Sequence, residues 1–238
     1  MKVVILAGGL GTRISEETVD KPKPMVLIKN RPILEHLIET FSRQGLNDFI
    51  IAVGYKRQII ESWAKGITSE FQNISTVDTG LETQTGGRIK RIMQKYPGER
   101  ILVTYGDGLA NINISSLLKF HQAHGGLATV TAVHPPARFG YLHMDGGAVT
   151  HFGEKNQSDA GWINGGYFVL EPTVVKYIDG DEEPFETGAL PRLVKESELF
   201  AYRHEGFWQP MDTLREKHDL ELLAELEIPP WLNLTCSD

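Results

Sequence analysis

One cysteine among 238 residues, placed in the closing TCSD, leaves nothing from which to build a disulfide framework or a cysteine metal cluster. That scarcity agrees with a reducing compartment. No apolar run approaches the ~20 residues of a bilayer span, and the VVILA after Met1 is too short and wrongly flanked for a signal peptide. A cytoplasmic location and no membrane partner are therefore expected. Basic charge is short as well: 24 Lys and Arg against 31 Asp and Glu give a net charge of −7. Such a chain has a poor field for wrapping nucleic acid, although local lysines and backbone amides can still hold a small anion. Internal repeats, low-complexity tracts and linkers rich in Pro, Gly or Ser are also missing, which argues against two separated domains.

What is there alternates between strand and helix. VVIL (3–6), FIIAV (49–53) and ILVTY (101–105) are continuous apolar runs, as expected of parallel strands buried on both faces. Ile33, Leu34, Leu37, Ile38 and Phe41 recur at helical spacing and stop at Gly45, a C-cap residue. A helical segment is expected near 55–65. Asn113 caps a further helix carrying Ile114, Leu117, Leu118 and His121, before a strand over 127–133. YLHMDGGAVTHF (141–152) reads as a hairpin around Asp-Gly-Gly, YFVL (167–170) as one more strand, and 185–196 and 213–226 as helices. The expected fold is a single-domain, Rossmann-like α/β protein. Its mixed, mostly parallel sheet is flanked by helices and carries a small antiparallel subregion. The domain spans 1–230, with residues 231–238 as a tail.

Gly8, Gly9 and Gly11 follow the first strand, where bare backbone can turn sharply and present its N–H groups to an anion. The loop is not a P-loop, because GxxxxGK[ST] is absent. Nor is it a dinucleotide fingerprint, because Ile14 stands where a glycine or alanine is needed. An ordinary strand-to-helix turn accounts for the glycines alone. Arg13 and the KPKP segment (21–24) add to them: Arg13 can neutralise phosphate, and prolines 22 and 24 hold an extended backbone that can turn Lys21 and Lys23 to the same side. Asp107, in YGDG, follows the strand ILVTY, where ligands sit in open α/β sheets; alone it reads equally as a turn aspartate. Asp212, in GFWQPMDT, is either an N-terminal cap or a metal carboxylate. Together, a glycine nest, a rigid lysine, an arginine and two carboxylates describe phosphoryl or nucleotidyl transfer, where positioning and charge neutralisation do most of the catalysis.

LAGGLGTR followed by KPKPM resembles the signature of the sugar-1-phosphate nucleotidylyltransferases. TGGRIKR (85–91), YGDG (105–108), INGGYFVL (163–170) and GFWQPMDTLREK (206–217) resemble its glucose-1-phosphate cytidylyltransferase branch. The matches run in order to about residue 230. The resemblance implies that Leu6, Ala7, Gly8, Gly9, Gly11, Thr12 and Arg13 hold the nucleotide, with Thr83 and Arg88 bracketing it. It implies that Lys23 steadies the phosphates beside Gly106, and that Asp107 and Asp212 bind Mg2+. Tyr141, Glu154, Lys155, Asn164, Gly165 and Trp208 fall on the sugar-phosphate side. Residues 1–133 would then serve mainly the nucleotide, and 134–212 mainly the sugar phosphate and metal. The implied substrates are CTP and a sugar 1-phosphate, and the implied assembly a homo-oligomer.

Two departures from the family pattern stand out. The segment near 66–75 is short in a region that helps build the sugar pocket and the oligomer, and Asn156 replaces the usual proline after Lys155. Rival readings are a nucleotidylyltransferase using dTTP or UTP or another sugar, a nucleotide-sugar-dependent glycosyltransferase, and a non-catalytic nucleotide binder. The second usually needs an Asp-x-Asp after a strand, where this chain has GDG. His134, His143 and His151 suit no helical metal motif and are expected at surface or core positions, Trp162, Tyr167, Phe168 and Phe207 mostly in the core. DGDEEP (179–184) is expected to be a solvated acidic loop.

Overall fold

The computed structural model describes residues 1–67, 73–135, 141–153 and 161–234. The first half runs β1 (Lys2–Ala7), α1 (Ser15–Thr18), β2 (Leu27–Ile28), β3 (Arg31–Pro32), α2 (Ile33–Ser42), β4 (Phe49–Val53), α3 (Arg57–Ile67) and β5 (Ile74–Asp78). It continues with α4 (Thr85–Lys95), β6 (Ile101–Tyr105), β7 (Gly108–Ala110), α5 (Ile114–His124) and β8 (Ala128–Val133). The hairpin β9 (Tyr141–Asp145) and β10 (Ala148–Gly153) follows, then β11 (Ile163–Leu170) and α6 (Ala189–Lys195). β12 (Leu199–His204), β13 (Trp208–Pro210) and α7 (Leu214–Leu223) complete the chain.

Seven strands form the central sheet in the order β12-β8-β11-β6-β1-β4-β5. All neighbours are parallel except β11, which runs antiparallel to both β6 and β8. The mixed, mostly parallel sheet expected from the sequence is the one observed. Strand alternation divides the core into two layers. Val3, Ile5, Phe49, Ile51, Leu102 and Val169 pack with α2 and with Leu117 and Leu220 on one face. Val4, Ile50, Ile101, Val103, Phe168 and Leu170 pack with Ile89, Ile92 and Leu193 on the other. Both faces of each inner strand are apolar, which is why these strands read as unbroken hydrophobic runs.

Local chemistry closes the helices as expected. Gly45 adopts φ 81° after α2, and Gly45 N and Leu46 N donate to Ser42 O and Phe41 O at 3.0 and 3.1 Å, the paired bonds of a Schellman end. Asn113 caps α5 by accepting from Ser116 N at 3.0 Å. Thr213 and Glu216 form a capping box at the start of α7. The cap is therefore Thr213, and Asp212 stands one residue outside the helix.

Two expectations need correction. Residues 231–238 were assigned to a tail, yet Trp231 is fully buried, 5.5 Å edge-on from the His36 ring and 6.0 Å from Phe207. A turn over Pro230–Leu232 folds this indole into the core, so the compact structure runs past residue 230. DGDEEP does expose carboxylates as expected, with the Asp179 side chain 82% exposed, while its backbone is docked on the start of α4: Gln84 N and Gly86 N donate to Asp181 O and Glu183 O at 2.7 and 3.0 Å. Trp162 is exposed, lying against His134 with ring centroids 3.9 Å apart. Cys236 lies outside the described residues.

Trp231→Ala should cost about 3–5 kcal/mol of folding stability, the range for deleting a buried aromatic; a cost below 1 kcal/mol in urea unfolding would return 231 to a tail. Burial also holds the imidazoles of His36, His121 and His204 below their ordinary value near 6.5. Unfolding below that pH therefore takes up protons. Stability should be complete above about pH 6.5 and fall as pH drops through 6.5 towards the lowered folded values. Urea midpoints at pH 7.5 and 5.5 check this, and equal midpoints would contradict it.

Candidate active site

The chain passes from β1 to β4 on one side and only later reaches β6 on the other, so strand order switches between β1 and β6. A crevice opens outside the carboxyl ends of strands at such a point. There, the loop from Gly8 to Gly11 leaves β1 and Gly106-Asp107 leaves β6, around a cleft of about 610 Å3. Of the residues named from the resemblance, Leu6, Ala7, Gly8, Gly9, Gly11, Thr12, Arg13, Lys23, Thr83, Arg88, Gly106, Asp107, Asn164, Gly165, Trp208 and Asp212 line this cleft. Tyr141 begins β9, opposite Gly153. Glu154 and Lys155 lie outside the described residues.

The glycine loop is shaped from beneath. Arg88, buried on α4, donates to Gly8 O at 3.0 Å, Gly80 O at 2.8 Å, Thr79 Oγ1 at 2.6 Å and Val53 O at 3.3 Å. Tyr55 N also donates to Gly8 O, at 3.2 Å. The Gly8 carbonyl is thereby drawn inward. The amides of Gly9, Leu10 and Gly11 meet no backbone acceptor among the described residues, and Gly11 turns the chain at φ 66°. That is the arrangement an anion nest needs. Arg88 supports the glycine loop from beneath, a relation the sequence did not reveal. Burial, followed by the nearby Arg91, lowers the Arg88 pKa from its ordinary value, but a guanidinium stays protonated.

Lys23 is placed by a short turn. The KPKP segment is extended only as far as Pro22 (ψ 151°), after which Lys23–Met25 forms a 3-10 turn. The two lysines are thus not held on one extended face as the spacing suggested; Lys23 alone is buried, at 6% exposure. Its ammonium donates to Asp107 Oδ2 and Asp212 Oδ1, each at 2.6 Å. Arg13 donates to the other oxygen of Asp212 at 2.5 Å. Asp107 and Asp212 lie far apart in sequence and are brought together by pairing of β7 with β13, continued by Met211 N donating to Asp107 O at 2.8 Å. The backbone of Asp212 is fixed in turn by its N–H donating to Glu216 Oε2 at 2.8 Å.

Two carboxylates that converge on one ammonium present their oxygens to a shared point. No cluster of three or more His, Cys, Asp or Glu residues is found among the described residues. A pair of carboxylates is nevertheless the donor set suited to Mg2+, which keeps waters and takes substrate phosphates as its other ligands. Trp208 Nε1 donates to Gly165 O at 2.8 Å, fixing the indole in the wall. Sequence reasoning missed Thr85, Tyr105 and Glu186. Glu186 reaches the cleft only because the docked 179–184 segment carries it there, a placement with no local signal.

Cations and carboxylates alternate in a cleft at the switch point of a doubly covered α/β sheet. The nucleotidyl transferase family model matches residues 2–216, and the chain belongs to that family. It is similar to the glucose-1-phosphate cytidylyltransferases of Salmonella typhi and Salmonella typhimurium, each 46% identical over 253 aligned positions, covering 97% of this chain and 98% of the relative. Those alignments exceed the 238 residues of this chain, so the relatives carry residues that it lacks. Among solved structures, HddC from Yersinia pseudotuberculosis shares the fold with a TM-score of 0.74 at 23% identity, covering 93% of this chain and 98% of that one. A UDP-glucose pyrophosphorylase complexed with UDP-glucose does so at 0.71 and 18%, covering 93% and 97%.

A Cβ at Gly8 would come within 2.1 Å of Arg88 Nη1, whereas one at Gly9 meets nothing within 4 Å. Gly8→Ala should therefore lose about 1–3 kcal/mol of stability, as overpacked sites do, while Gly9→Ala should stay within about 0.5 kcal/mol of the parent. Equal unfolding free energies for the two variants would show that Arg88 does not shape the loop.

Proposed function

We propose that the protein transfers the cytidylyl group of CTP to α-D-glucose 1-phosphate, giving CDP-glucose and pyrophosphate. The observation that carries this reading is the convergence of Lys23, Arg13, Asp107 and Asp212 beside the glycine loop; the near full-length similarity to cytidylyltransferases supports the choice of base and sugar. A phosphate oxygen of glucose 1-phosphate attacks the α-phosphorus of CTP. A new P–O bond forms, the bond between the α-phosphorus and its bridging oxygen breaks, and pyrophosphate leaves with that electron pair. The attacking oxygen is already ionised, so no protein base is needed and no covalent intermediate is formed.

The free amides of the loop receive the triphosphate, and Arg13 and Lys23 offset the charge that crowds around the α-phosphorus. Both cations are now held by carboxylates, so each can turn to phosphate when the anionic substrates enter. Asp107 and Asp212 would hold Mg2+, which supplies Lewis-acid charge to the phosphate oxygens. Thr83 faces the nucleotide, above the Arg88 support. Asn164 and Trp208, with Tyr141, Glu154 and Lys155, take the sugar side. Residues 1–133 thus serve mainly CTP and 134–212 mainly the sugar phosphate and metal, in a cytoplasmic homo-oligomer.

Pyrophosphate release with Mg2+ and glucose 1-phosphate, offered CTP, UTP, dTTP, ATP and GTP separately, should be strong with CTP alone. Turnover with dTTP or UTP instead would overturn the base, and silence with all five would overturn the sugar. Lys23→Met should lower kcat/KM about 10²–10³-fold, the usual loss on removing one preorganised charge donor, without loss of fold by circular dichroism.

A further inference from the structure

The anionic end of the cleft points to a residue that the reaction chemistry leaves unused. Glu186 lines the cleft, half-buried. Its carboxylate accepts a hydrogen bond from the Tyr105 hydroxyl on one oxygen and from Thr85 Oγ1, at 2.7 Å, on the other. Neither oxygen has a Lys, Arg or His within ion-pair distance among the described residues. A carboxylate with no cation among the described residues, in a cleft lined by polar groups, is unfavourable unless donors satisfy it. Two hydroxyls do so in part. An ionised carboxylate offers about four lone-pair sites, so acceptor capacity remains for a ligand.

The mounting is rigid. Phe185 N donates to Thr85 Oγ1 at 2.8 Å, so the hydroxyl that serves Glu186 is itself oriented by the residue before it. The Phe185 ring is fully buried, edge-on to Phe168 at 5.5 Å. The preceding segment is bonded to the start of α4 through Asp181 O and Glu183 O, and Gly87 is bare because a Cβ there would meet Asp181 Cα at 2.5 Å. Tyr105 packs on Gly166, where a Cβ would meet its ring at 2.5 Å, and Asn164 acts on the same hydroxyl. Asn164 Oδ1 accepts from Gly166 N at 2.8 Å, so its amide nitrogen faces the Tyr105 hydroxyl with one N–H and keeps the other for a ligand. The wall thus offers an acceptor, Glu186, close to a donor, Asn164. A sugar hydroxyl, which both donates and accepts, matches that pair. A phosphate, which only accepts, is repelled by it.

We propose that Glu186 determines sugar specificity: its carboxylate accepts a hydrogen bond from a ring hydroxyl of the sugar 1-phosphate and orients the sugar so that its phosphate faces Lys23 and Arg13. This rests on the reading of the site as a sugar-1-phosphate nucleotidylyltransferase. It adds a contact from the segment after β11 to a sugar site otherwise drawn from β9, β11 and β13.

The test compares the parent enzyme with Glu186→Gln, titrating CDP and CDP-glucose separately by calorimetry. CDP affinity should stay within twofold. The advantage of CDP-glucose over CDP should fall about tenfold to a hundredfold, the worth of one hydrogen bond to a charged group. In turnover, KM for glucose 1-phosphate should rise by a similar factor while KM for CTP holds. In a panel of monodeoxyglucose 1-phosphates, one analogue should be poor for the parent and no worse than glucose 1-phosphate for the variant. Equal weakening of CDP and CDP-glucose, or unchanged affinities, or a panel in which every deoxy penalty survives the substitution, would each overturn the proposal. Glu186→Asp, which retracts the carboxylate by one methylene, replaces Glu186→Gln if that variant does not fold. Should the parent prove to use a different nucleotide or sugar, the substrate reading fails by itself, and the same comparison is made with the pair that it does use.

Discussion

Everything in the cleft depends on how one buried ammonium is held. Lys23 has lost most of its water, and a charge so placed is tolerated only when it is paired and hydrogen-bonded. Asp107 and Asp212 supply the pairing, and each is held by structure that has nothing to do with its charge. Asp107 leaves a core strand of the sheet, and Asp212 is held by the capping box of α7. The ribbon of β7 and β13 then fixes the gap between them. A group of like charges is so kept close without repulsion, because Lys23 and Arg13 alternate with the carboxylates. Cations and anions held in this way can exchange partners with an entering charged ligand at little cost in reorganisation.

A second cation, Arg88, acts beneath the glycine loop. Arg88 gathers carbonyls from the ends of β1 and β4 and from the loop after β5, so three crossovers of the sheet are tied beneath the glycine loop. The absent side chains of Gly8 and Gly54 are the space that the guanidinium fills. The bareness of the loop at Gly8 therefore has a physical cause on its inner side, the close approach of Arg88.

The cleft is polar along its length rather than uniformly basic. Arg13 and Lys23 lie by the glycine loop, whereas Tyr105, Glu186 and Asn164 present hydroxyl, carboxylate and amide groups. A net acidic chain can thus attract a highly anionic substrate locally while keeping a neutral, hydroxyl-rich region for the rest of it.

The sequence by itself determined the sheet, because parallel strands buried on both faces must be continuous apolar runs, and β1, β4 and β6 are. It determined the ends of α2 and α5, since Gly45 and Asn113 act through their own local backbone. It also marked Gly8–Gly11, Lys23, Asp107 and Asp212, whose neighbouring glycines and prolines are local signals. Only the tertiary structure decided which carboxylate faces which cation, because β7 and β13 pair across a large sequence separation and leave no periodic trace. The same holds for Trp231, which short-range composition assigns to a tail and long-range packing draws into the core. It holds most of all for Glu186: in the chain it follows an acidic stretch, and only docking of that stretch on α4 turns it into the wall of the cleft.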